Sequence, residues 1–467
     1  MKDDTLNDLQ CFEVDWMEIK ILHGDCIEVM RGMSDNSVDS IVTDPPAGIS
    51  FMGKNWDKDK GGRQEWISWM QEVASECLRV IKPGGYALVW AIPRTSHWTG
   101  MAWEDAGWLP RDKIYHCFGS GFPKSMSISK EIDRIAGAER EVIGKGKSGS
   151  PNSHNNYNIK TDVDNGGYEF GGEYTYTAPA TPEAKRWDGW GTAMKPAIEE
   201  WWLFRKPFKG TVAENVLEWG TGGINIDGCR VGLTRPPTNT DPSMFKKWKQ
   251  QDGCERSNSS NPDVDTTKGR FPANLIHDGS DEVISLFPAK AGAFAPVKRG
   301  QNGNSRGIYG DFSEKGDDGD SFYNDSGSAA RFFYVAKASA TDREEGCEGL
   351  ELRQRDHSRK EGNPGGDNPR NRGIKKKQNN HPTVKSTELM RYLCRLITPP
   401  GGIVLDPFMG SGSTGKGAVL EGFSFIGIEK DEGDEGYLDI ARARIEFAKS
   451  AYDNQHKQKS LEIFGAM

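Results

Sequence analysis

Residues 403–430, IVLDPFMGSGSTGKGAVLEGFSFIGIEK, place a Gly-rich turn between two apolar runs. Ile403–Leu405 has the length and composition of a buried strand, and Phe425–Glu429 has the same character. The residues between them, from Ser413 onward, predict a helix that follows the turn directly. Strand, tight turn, helix and strand in this order are typical of an α/β fold with a parallel sheet.

The Gly-rich turn also predicts a binding site for an adenosine cofactor. Gly410 and Gly412 let the backbone approach a ligand closely, and the start of the following helix offers free N–H groups. Glu429 ends the next strand, 17 residues after Gly412. An acid near this position commonly binds the hydroxyl groups of a ribose. A tight strand–helix turn followed by an unrelated acid is the alternative.

The same turn fits a second pattern, because Gly410–Lys416 matches the GxxxxGK motif of phosphate-binding loops. In that motif a Ser or Thr follows the lysine and ligates Mg²⁺. Here the following residue is Gly417, and no convincing partner strand ends in a metal-binding acid. A nucleoside triphosphatase is therefore an alternative with weaker sequence support.

A second centre follows the apolar run Val38–Thr43, where Asp44, Pro45 and Pro46 come directly after a predicted strand. The two prolines hold the acid and a backbone carbonyl rigidly at the strand's carboxyl end. Such a pair suits an exocyclic amine, whose lone pair is delocalised into the base and therefore reacts poorly. Two acceptors, the Asp44 carboxylate and the Pro45 carbonyl, could bind its two protons and favour attack on a methyl sulfonium.

The segments around these centres alternate between strand and helix patterns. Short apolar runs predict strands, and apolar residues spaced near 3.6 predict helices. The predicted strands are Lys20–Leu22, Val38–Thr43, Tyr86–Ile92 and Ile198–Arg205, and the predicted helices are Arg63–Ile81, His381–Ile397 and Tyr437–Phe447. Long stretches rich in Gly, Asn and Ser separate them, which is typical of inserted loops.

Composition excludes several classes of protein. The chain has 467 residues and a net charge of −8, so it does not resemble a basic nucleic-acid binder, and a polyanion would need a local basic surface. No stretch is apolar enough to span a membrane, and the acidic start lacks the apolar region of a secretory signal. The eight cysteines form no CxxC pair, which predicts no metal site and a reduced, cytoplasmic protein.

Two blocks carry a family resemblance. GDCIEVMRGMSDNSVDSIVTDPPA (24–47) and HPTVKSTELMRYLCRLITPPGGIVLDPFMGSGSTGKGAVLEGFSFIGIEKD (381–431) resemble the DNA amino-methyltransferases. The order, with DPP first and FxGxG last, is similar to the beta class of N6-adenine and N4-cytosine enzymes. FGSGFPKS (118–125), KPAIEEWWLFRKP (195–207) and RFPANLIHDGS (270–280) resemble phage-borne members.

The resemblance implies a Rossmann-like α/β core that binds S-adenosylmethionine (AdoMet). Its mostly parallel seven-stranded sheet would have one antiparallel strand and be circularly permuted, with long inserted segments. The predicted organisation is an N-terminal tail (1–20), a catalytic half (21–125), an inserted loop facing DNA (126–190), a core strand (191–208), a target-recognition insertion (209–335), a basic linker (336–380), an AdoMet-binding half (381–449) and a C-terminal tail (450–467). Basic residues in the insertions and at 353–377 would contact phosphates.

The resemblance also implies site residues. Asp44, Pro45, Pro46 and Ala47 would form the catalytic motif, and a leading Asp is more typical of adenine-N6 members. The residues that would bind AdoMet are Asp25 and Cys26 near the adenine, Thr383 and Lys385 near the methionine, Asp406, Phe408, Gly410 and Gly412 in the turn, and Glu429 at the ribose.

Ala47 departs from the family pattern, which has an aromatic residue after DPP to stack on the flipped base. Stacking contributes ~1–3 kcal/mol per base, so its loss would lower affinity or rate. Phe51 or Trp56 could take its place. Otherwise the chain would be a catalytically weak member that is retained for DNA binding.

The predicted partner is double-stranded DNA, together with a second copy of the chain as a homodimer. Ser460–Phe464 weakly resembles the tail of proteins that bind a sliding clamp. An N4-cytosine specificity and an RNA or protein-amide methyltransferase remain alternatives. The sequence shows no nuclease motif, so a stand-alone modification enzyme, as in restriction–modification systems, is favoured over a fused nuclease.

Overall fold

The computed structural model describes residues 17–121, 125–147, 173–232, 269–289, 327–337, 339–354, 376–431 and 435–465. Most of the tail 1–20, the centres of the insertions 126–190 and 209–335, and most of the basic segment 353–377 therefore lie outside the described residues. The chain forms two compact units, the first from Met1–Gly119, Ile198–Gly346 and Val384–Met467, the second from Ser120–Ala197 and Cys347–Thr383.

A large sheet organises the first unit. In chain order the strands among the described residues are β1 (Ile19–His23), β2 (Val38–Thr43), β3 (Ile81–Ala91), β4 (Leu109–Cys117), β5 (Val142–Lys147), β6 (Glu173–Thr177), β7 (Ile198–Arg205), β8 (Leu275–His277), β9 (Tyr334–Val335), β10 (Arg353–Gln354), β11 (Lys376–Lys377), β12 (Ile403–Asp406) and β13 (Ser424–Glu429). Nine of them form one sheet in the order β1-β13-β12-β2-β3-β7-β4-β8-β9.

The predicted mostly parallel α/β sheet is confirmed. β7 is antiparallel to both β3 and β4, and the other neighbours are parallel. β12 and β13, late in the sequence, lie between β1 and β2, which is the permuted arrangement that the family resemblance implies. The sheet is wider than the predicted seven strands because the insertion 209–335 adds β8 and β9 at one edge.

Helices of the first unit cover the two faces of the sheet. The described α-helices are Cys26–Arg31, Arg63–Val80, Ser96–Asp105, Ile128–Ile135, Pro182–Arg186, Val212–Trp219, Asp281–Ile284, Ala340–Glu344, Thr387–Ile397, Ser413–Leu420 and Tyr437–Gly465, with 3₁₀ turns at Phe51–Gly53, Asn55–Asp57, Asp227–Cys229 and Ala329–Phe332. Two apolar clusters form the core. Helices over both faces explain why the strands are nearly continuous apolar runs.

Two helix boundaries differ from the sequence prediction. The helix predicted from His381 begins at Thr387, whose N–H donates to Asp342 Oδ2 at 2.8 Å. A carboxylate from a distant segment therefore caps this helix, which local spacing does not reveal. The last helix continues to Gly465 rather than ending at Phe447. An ion pair between Lys449 and Asp453, four residues apart, supports the extension.

The second unit contains two antiparallel pairs, β5 with β6 and β10 with β11. Asp133, at 1% exposure, accepts hydrogen bonds from Arg140 Nη1 at 2.5 Å and from the Thr181 N–H at 3.0 Å. These donors connect its helix Ile128–Ile135 to the start of Pro182–Arg186. No helix in the described part of the chain is both long and apolar enough to cross a membrane.

Candidate active site

The two predicted centres meet at the carboxyl edge of the sheet, because β2 and β12 are parallel neighbours. Thr43, the last residue of β2, donates through Oγ1 to Asp406 Oδ1 at 2.7 Å. The Phe408 N–H donates to the same oxygen at 3.0 Å. Burial raises the pKa of Asp406 to about 7. Asp406 thus connects the segment that carries Asp44 to the Gly-rich turn.

The Gly-rich turn needs glycine for steric reasons. Gly410 and Gly412 have φ angles of +53° and +73°, in the left-handed region. A Cβ at Gly412 would lie 2.9 Å from the Cα of Ala441 on the last helix. Arg444 of that helix is fully buried and donates to the Ser411 carbonyl at 2.7 Å. The turn is therefore held closely against the last helix, directly before the helix Ser413–Leu420.

Glu429 lies beside this turn, as the sequence predicts. Its Oε2 accepts the Gly410 N–H at 2.7 Å, and its Oε1 accepts the Asp431 N–H at 3.0 Å. Burial raises the pKa of the carboxyl, and the backbone donors oppose that rise. Each carboxylate oxygen can accept a further hydrogen bond. Glu429 therefore retains the capacity to accept from the hydroxyl groups of a ribose.

Asp25 and Cys26 lie next to Glu429 at the end of β1. The Gly24 N–H donates to the Glu429 carbonyl at 3.0 Å, which joins the two strand ends. Asp25 Oδ1 caps the following helix by accepting the Ile27 N–H at 3.0 Å. Cys26 is buried, and burial raises its pKa to about 12, so its sulfur is a thiol. The structure thus brings these residues to the same edge as the Gly-rich turn.

Asp44 lies at this edge immediately after β2. Burial raises the pKa of its carboxyl to about 6, although the nearby Lys385 ammonium opposes the rise. The distance from Lys385 Nζ to Asp44 Oδ2 is 3.4 Å. Pro45 is buried and Pro46 is half-buried. The carboxyl is therefore ionised at neutral pH and titrates only a little below it.

A network of side chains that sequence reasoning missed surrounds Lys385. Glu199 Oε2 accepts from Lys385 Nζ at 2.8 Å and also from Trp90 Nε1. Glu199 Oε1 and His116 Nδ1 are hydrogen-bonded at 3.0 Å. Lys385 Nζ also lies 3.8 Å from the centre of the Trp90 ring. We call the side chains of Glu199, Lys385, Trp90 and His116 the Glu199 network. The sequence indicates it only through an acid within the apolar strand IEEWWLFR.

The loop after Pro46 is organised by Asp57, which the sequence analysis also missed. Asp57 is 1% exposed and accepts three backbone N–H groups: Ala47 at 2.6 Å, Gly48 at 3.0 Å and Phe51 at 2.7 Å. Phe51 and Trp56 are half-buried in this loop. The Trp56 side chain interacts with Tyr437, the first residue of the last helix. Their role in base stacking remains a prediction.

The remaining candidates occupy different positions. Phe408 is half-buried, and its ring packs edge-on against Trp69 with the centroids 5.8 Å apart. Thr383 belongs to the second unit, where its N–H donates to His381 Nδ1 at 3.3 Å. Thr383 therefore stays a sequence prediction. Both Thr383 and Lys385 precede the helix that starts at Thr387, rather than opening it.

Lys416 contradicts the triphosphatase alternative. Its side chain is 1% exposed, and Nζ donates to Asp342 Oδ1 at 2.8 Å and to Glu345 Oε2 at 2.7 Å. A phosphate-binding lysine would have to present its ammonium at the turn. Within the described residues, no group of three His, Cys, Asp or Glu side chains could hold a metal ion.

Comparisons with known proteins found a matching family model and similar proteins. A family model described as DNA methylase, of the N6/N4 type, matches residues 38–136 and 153–442. The type II methyltransferase M.BamHI of Bacillus amyloliquefaciens is 35% identical over 78 residues, or 16% of this chain and 18% of the relative. M.BglII of Bacillus subtilis is 30% identical over 105 residues, or 20% of this chain and 28% of the relative. These matches thus span less than a third of either relative.

Two solved structures of similar proteins cover most of the chain at low similarity. The cytosine-N4-specific PvuII DNA methyltransferase is 12% identical, with 93% of this chain and 92% of that chain covered and a TM-score of 0.37. The complex of M1.HpyAVI with SAM is 14% identical, with 91% and 98% covered and a TM-score of 0.36.

Proposed function

This chain belongs to the DNA methylase family of the N6/N4 type, and we propose that it transfers a methyl group from AdoMet to the exocyclic amine of a base in DNA. The observation that carries the proposal is the meeting of Asp44 with the Gly-rich turn at one sheet edge. The Thr43–Asp406 hydrogen bond of 2.7 Å joins the two segments there. In open α/β sheets, ligands bind at the carboxyl ends of the strands.

The residues of the turn fit AdoMet chemically. Gly410 and Gly412 keep side chains away from the turn, and the half-buried Glu429 retains acceptor capacity for the ribose hydroxyls. We also propose that Asp25, at the adjacent strand end, contacts the adenine, as the family resemblance implies. When bound, AdoMet supplies a methyl group on an electrophilic sulfonium.

The proposed catalytic groups of the chain are the Asp44 carboxylate and the Pro45 carbonyl. An exocyclic amine of adenine or cytosine carries two protons, and two acceptors bind both. Accepting these hydrogen bonds raises the electron density on nitrogen and orients its lone pair. The ionised form of Asp44 serves as an acceptor only, whereas the protonated form would offer an O–H in place of one acceptor. Activity therefore requires ionised Asp44.

Adenine N6 is the base position that we favour, because Asp leads the motif and this is the preference of the adenine-specific relatives. Cytosine N4 is the alternative, and a cytosine-N4 enzyme is among the similar structures. Ala47 motivates a second candidate, a weakly active DNA-binding protein. Its N–H is fixed by Asp57 at 2.6 Å, and its methyl group offers no stacking surface.

The test is transfer of labelled methyl from AdoMet to unmodified duplex DNA, followed by nucleoside analysis. Asp44→Asn is the matched variant, because it keeps the shape and removes the charge. Label in N6-methyladenine that is lost in the variant is the expected result. Label in N4-methylcytosine would change the base assignment. Failure of the full chain to bind AdoMet by calorimetry would refute the proposed function.

Partners beyond DNA rest on sequence alone. Duplex DNA held by basic residues of the insertions is the proposed substrate. A homodimer and a sliding clamp bound through Phe464 are further proposals. Recovery of a clamp by the wild type but not by Phe464→Ala would support the last. A cytoplasmic location is also proposed.

A further inference from the structure

We propose that Glu199 is a positioning residue that holds the Lys385 ammonium against Asp44, and so keeps Asp44 as a hydrogen-bond acceptor for the target amine. The inference rests on the proposed function and adds a residue to it. Glu199 lies on the antiparallel strand β7, two strands away from the strand that leads to Asp44. It therefore acts through Lys385.

Neighbouring strands hold Glu199 from both sides. Trp90, on β3, donates through Nε1 to Glu199 Oε2. His116, on β4, lies directly opposite Glu199 in the strand register and is hydrogen-bonded to Oε1 at 3.0 Å. The carboxylate is thus fixed by three adjacent strands. A carboxylate held in this way offers a rigid anchor for a long side chain.

Lys385 needs such an anchor because its own backbone gives little support. It precedes the first residue of the helix Thr387–Ile397 and lies in an irregular segment. Its side chain is 12% exposed and reaches Glu199 at 2.8 Å and Asp44 at 3.4 Å. The Trp90 ring lies 3.8 Å from Nζ and adds a cation–π contact. The shorter distance is to Glu199, which fixes where the ammonium rests.

The position of this ammonium controls the charge of Asp44. Glu199, Asp57 and Asp406 are acids that interact electrostatically with Asp44 and favour its protonation, whereas Lys385 favours its ionisation. Burial alone would lower the pKa of Lys385, but the charges of Asp44 and Glu199 raise it, so the lysine stays charged. Burial opposes ionisation of Glu199 as well, but Lys385 and His116 hold its pKa below the usual range.

Variants of Glu199 separate positioning from simple charge. Glu199→Gln keeps an acceptor oxygen for Lys385 and removes a negative charge, so the pKa of Asp44 falls. Glu199→Asp keeps the charge but withdraws the carboxylate by one methylene, and Glu199→Ala removes the anchor. In both, Lys385 leaves its position near Asp44, and the pKa of Asp44 rises by about 1 or more, as expected for loss of a close opposite charge.

Two measurements report the pKa of the Asp44 carboxyl in the full-length protein. The first is the acidic limb of the pH profile of kcat/KM, which reports the free enzyme. The second is infrared titration of the Asp44 carboxyl, with its band assigned by its loss in Asp44→Asn. Glu200→Gln is the matched control, since Glu200 is the next residue of β7, faces the opposite side of the strand and pairs with Lys113 at 2.8 Å.

The inference predicts a lower pKa in Glu199→Gln, a higher pKa in Glu199→Asp and Glu199→Ala, and no change in Glu200→Gln. If Glu199 only competed with Asp44 for the ammonium, the pKa of Asp44 would fall in Glu199→Ala as it does in Glu199→Gln, and a lower pKa in Glu199→Ala would overturn the inference. An unchanged pKa in Glu199→Asp would do so too. A wild type without methyl transfer would refute the proposed function instead, while the infrared titration would still decide the role of Glu199.

Discussion

Replacing Asp57 with asparagine tests how the loop that follows the DPP motif is held. Asparagine has nearly the same shape but only one acceptor oxygen. In the wild type, Oδ1 accepts from Ala47 and Gly48, and Oδ2 accepts from Phe51. In the variant, at least one buried N–H therefore faces an NH₂ group. Each hydrogen bond to a charged group contributes ~1.5–3 kcal/mol.

The expected result is local opening rather than global unfolding, because the three donors lie within one short loop. A loss of that size corresponds to amide exchange that is roughly 10- to 100-fold faster. Hydrogen exchange followed by mass spectrometry over residues 47–57 measures it. Asp59→Asn is the control, since Asp59 is exposed and accepts a single N–H, from Gly61, at 3.3 Å.

We expect methyl transfer by Asp57→Asn to fall as well, because the loop begins directly after Pro46. Exchange in the loop that matched wild type would refute the reasoning, since the N–H groups would then have found other acceptors at no cost. An equal increase in the amide exchange rate in Asp59→Asn would show that the faster exchange does not depend on burial of the substituted carboxylate.

Three further predictions concern the same edge of the sheet. Gly412→Ala should lower the free energy of unfolding by ~1–3 kcal/mol in urea denaturation, because φ is +73° and the new Cβ clashes with Ala441. Gly401→Ala, at φ +71° with open space around it, should lower the stability less. Equal losses of stability in the two variants would argue against the clash. The rate should fall as pH drops through the pKa of Asp44, about 6, because the ionised form is the acceptor. Lys385→Met should move the acidic limb of the pH–rate profile to higher pH. An unchanged acidic limb would show that Lys385 does not favour the ionised form of Asp44. Lys416→Met breaks a buried ion pair and should lower the free energy of unfolding by ~3–5 kcal/mol. ATP binding by the wild type in calorimetry would contradict the structural role of Lys416 and support the triphosphatase alternative.

The sequence predicted those parts of the fold that depend on local pattern. The apolar runs that became β2, β12 and β13 are short and nearly continuous, and parallel strands buried on both faces have this composition. The family resemblance then predicted the strand order, since the DPP motif precedes the Gly-rich turn in the class that the chain resembles. The proximity of Glu429 to Gly410 followed from spacing alone.

The missed features depend on partners that are far apart in the chain. Glu199 and Lys385 are separated by 186 positions, and Asp57 contacts backbone N–H groups, which carry no sequence signal. The helix start at Thr387 depends on Asp342 in the same way. The short strands β8 and β9 have two or three residues each and pair with an existing edge, so their own sequence need not be strongly patterned.

The permuted strand order also affects how the chain acquires its fold during synthesis. β1 pairs with β13, and the two strands are separated by 406 positions between Ile19 and Phe425. At ~5–20 residues per second, the ribosome needs tens of seconds to make the intervening chain. During that time β1 has no partner strand, and β2 lacks its neighbour β12 on one side. The sheet is therefore completed only after β13, which ends at Glu429, has emerged. A chaperone that shields the early strands would therefore raise the yield of folded protein.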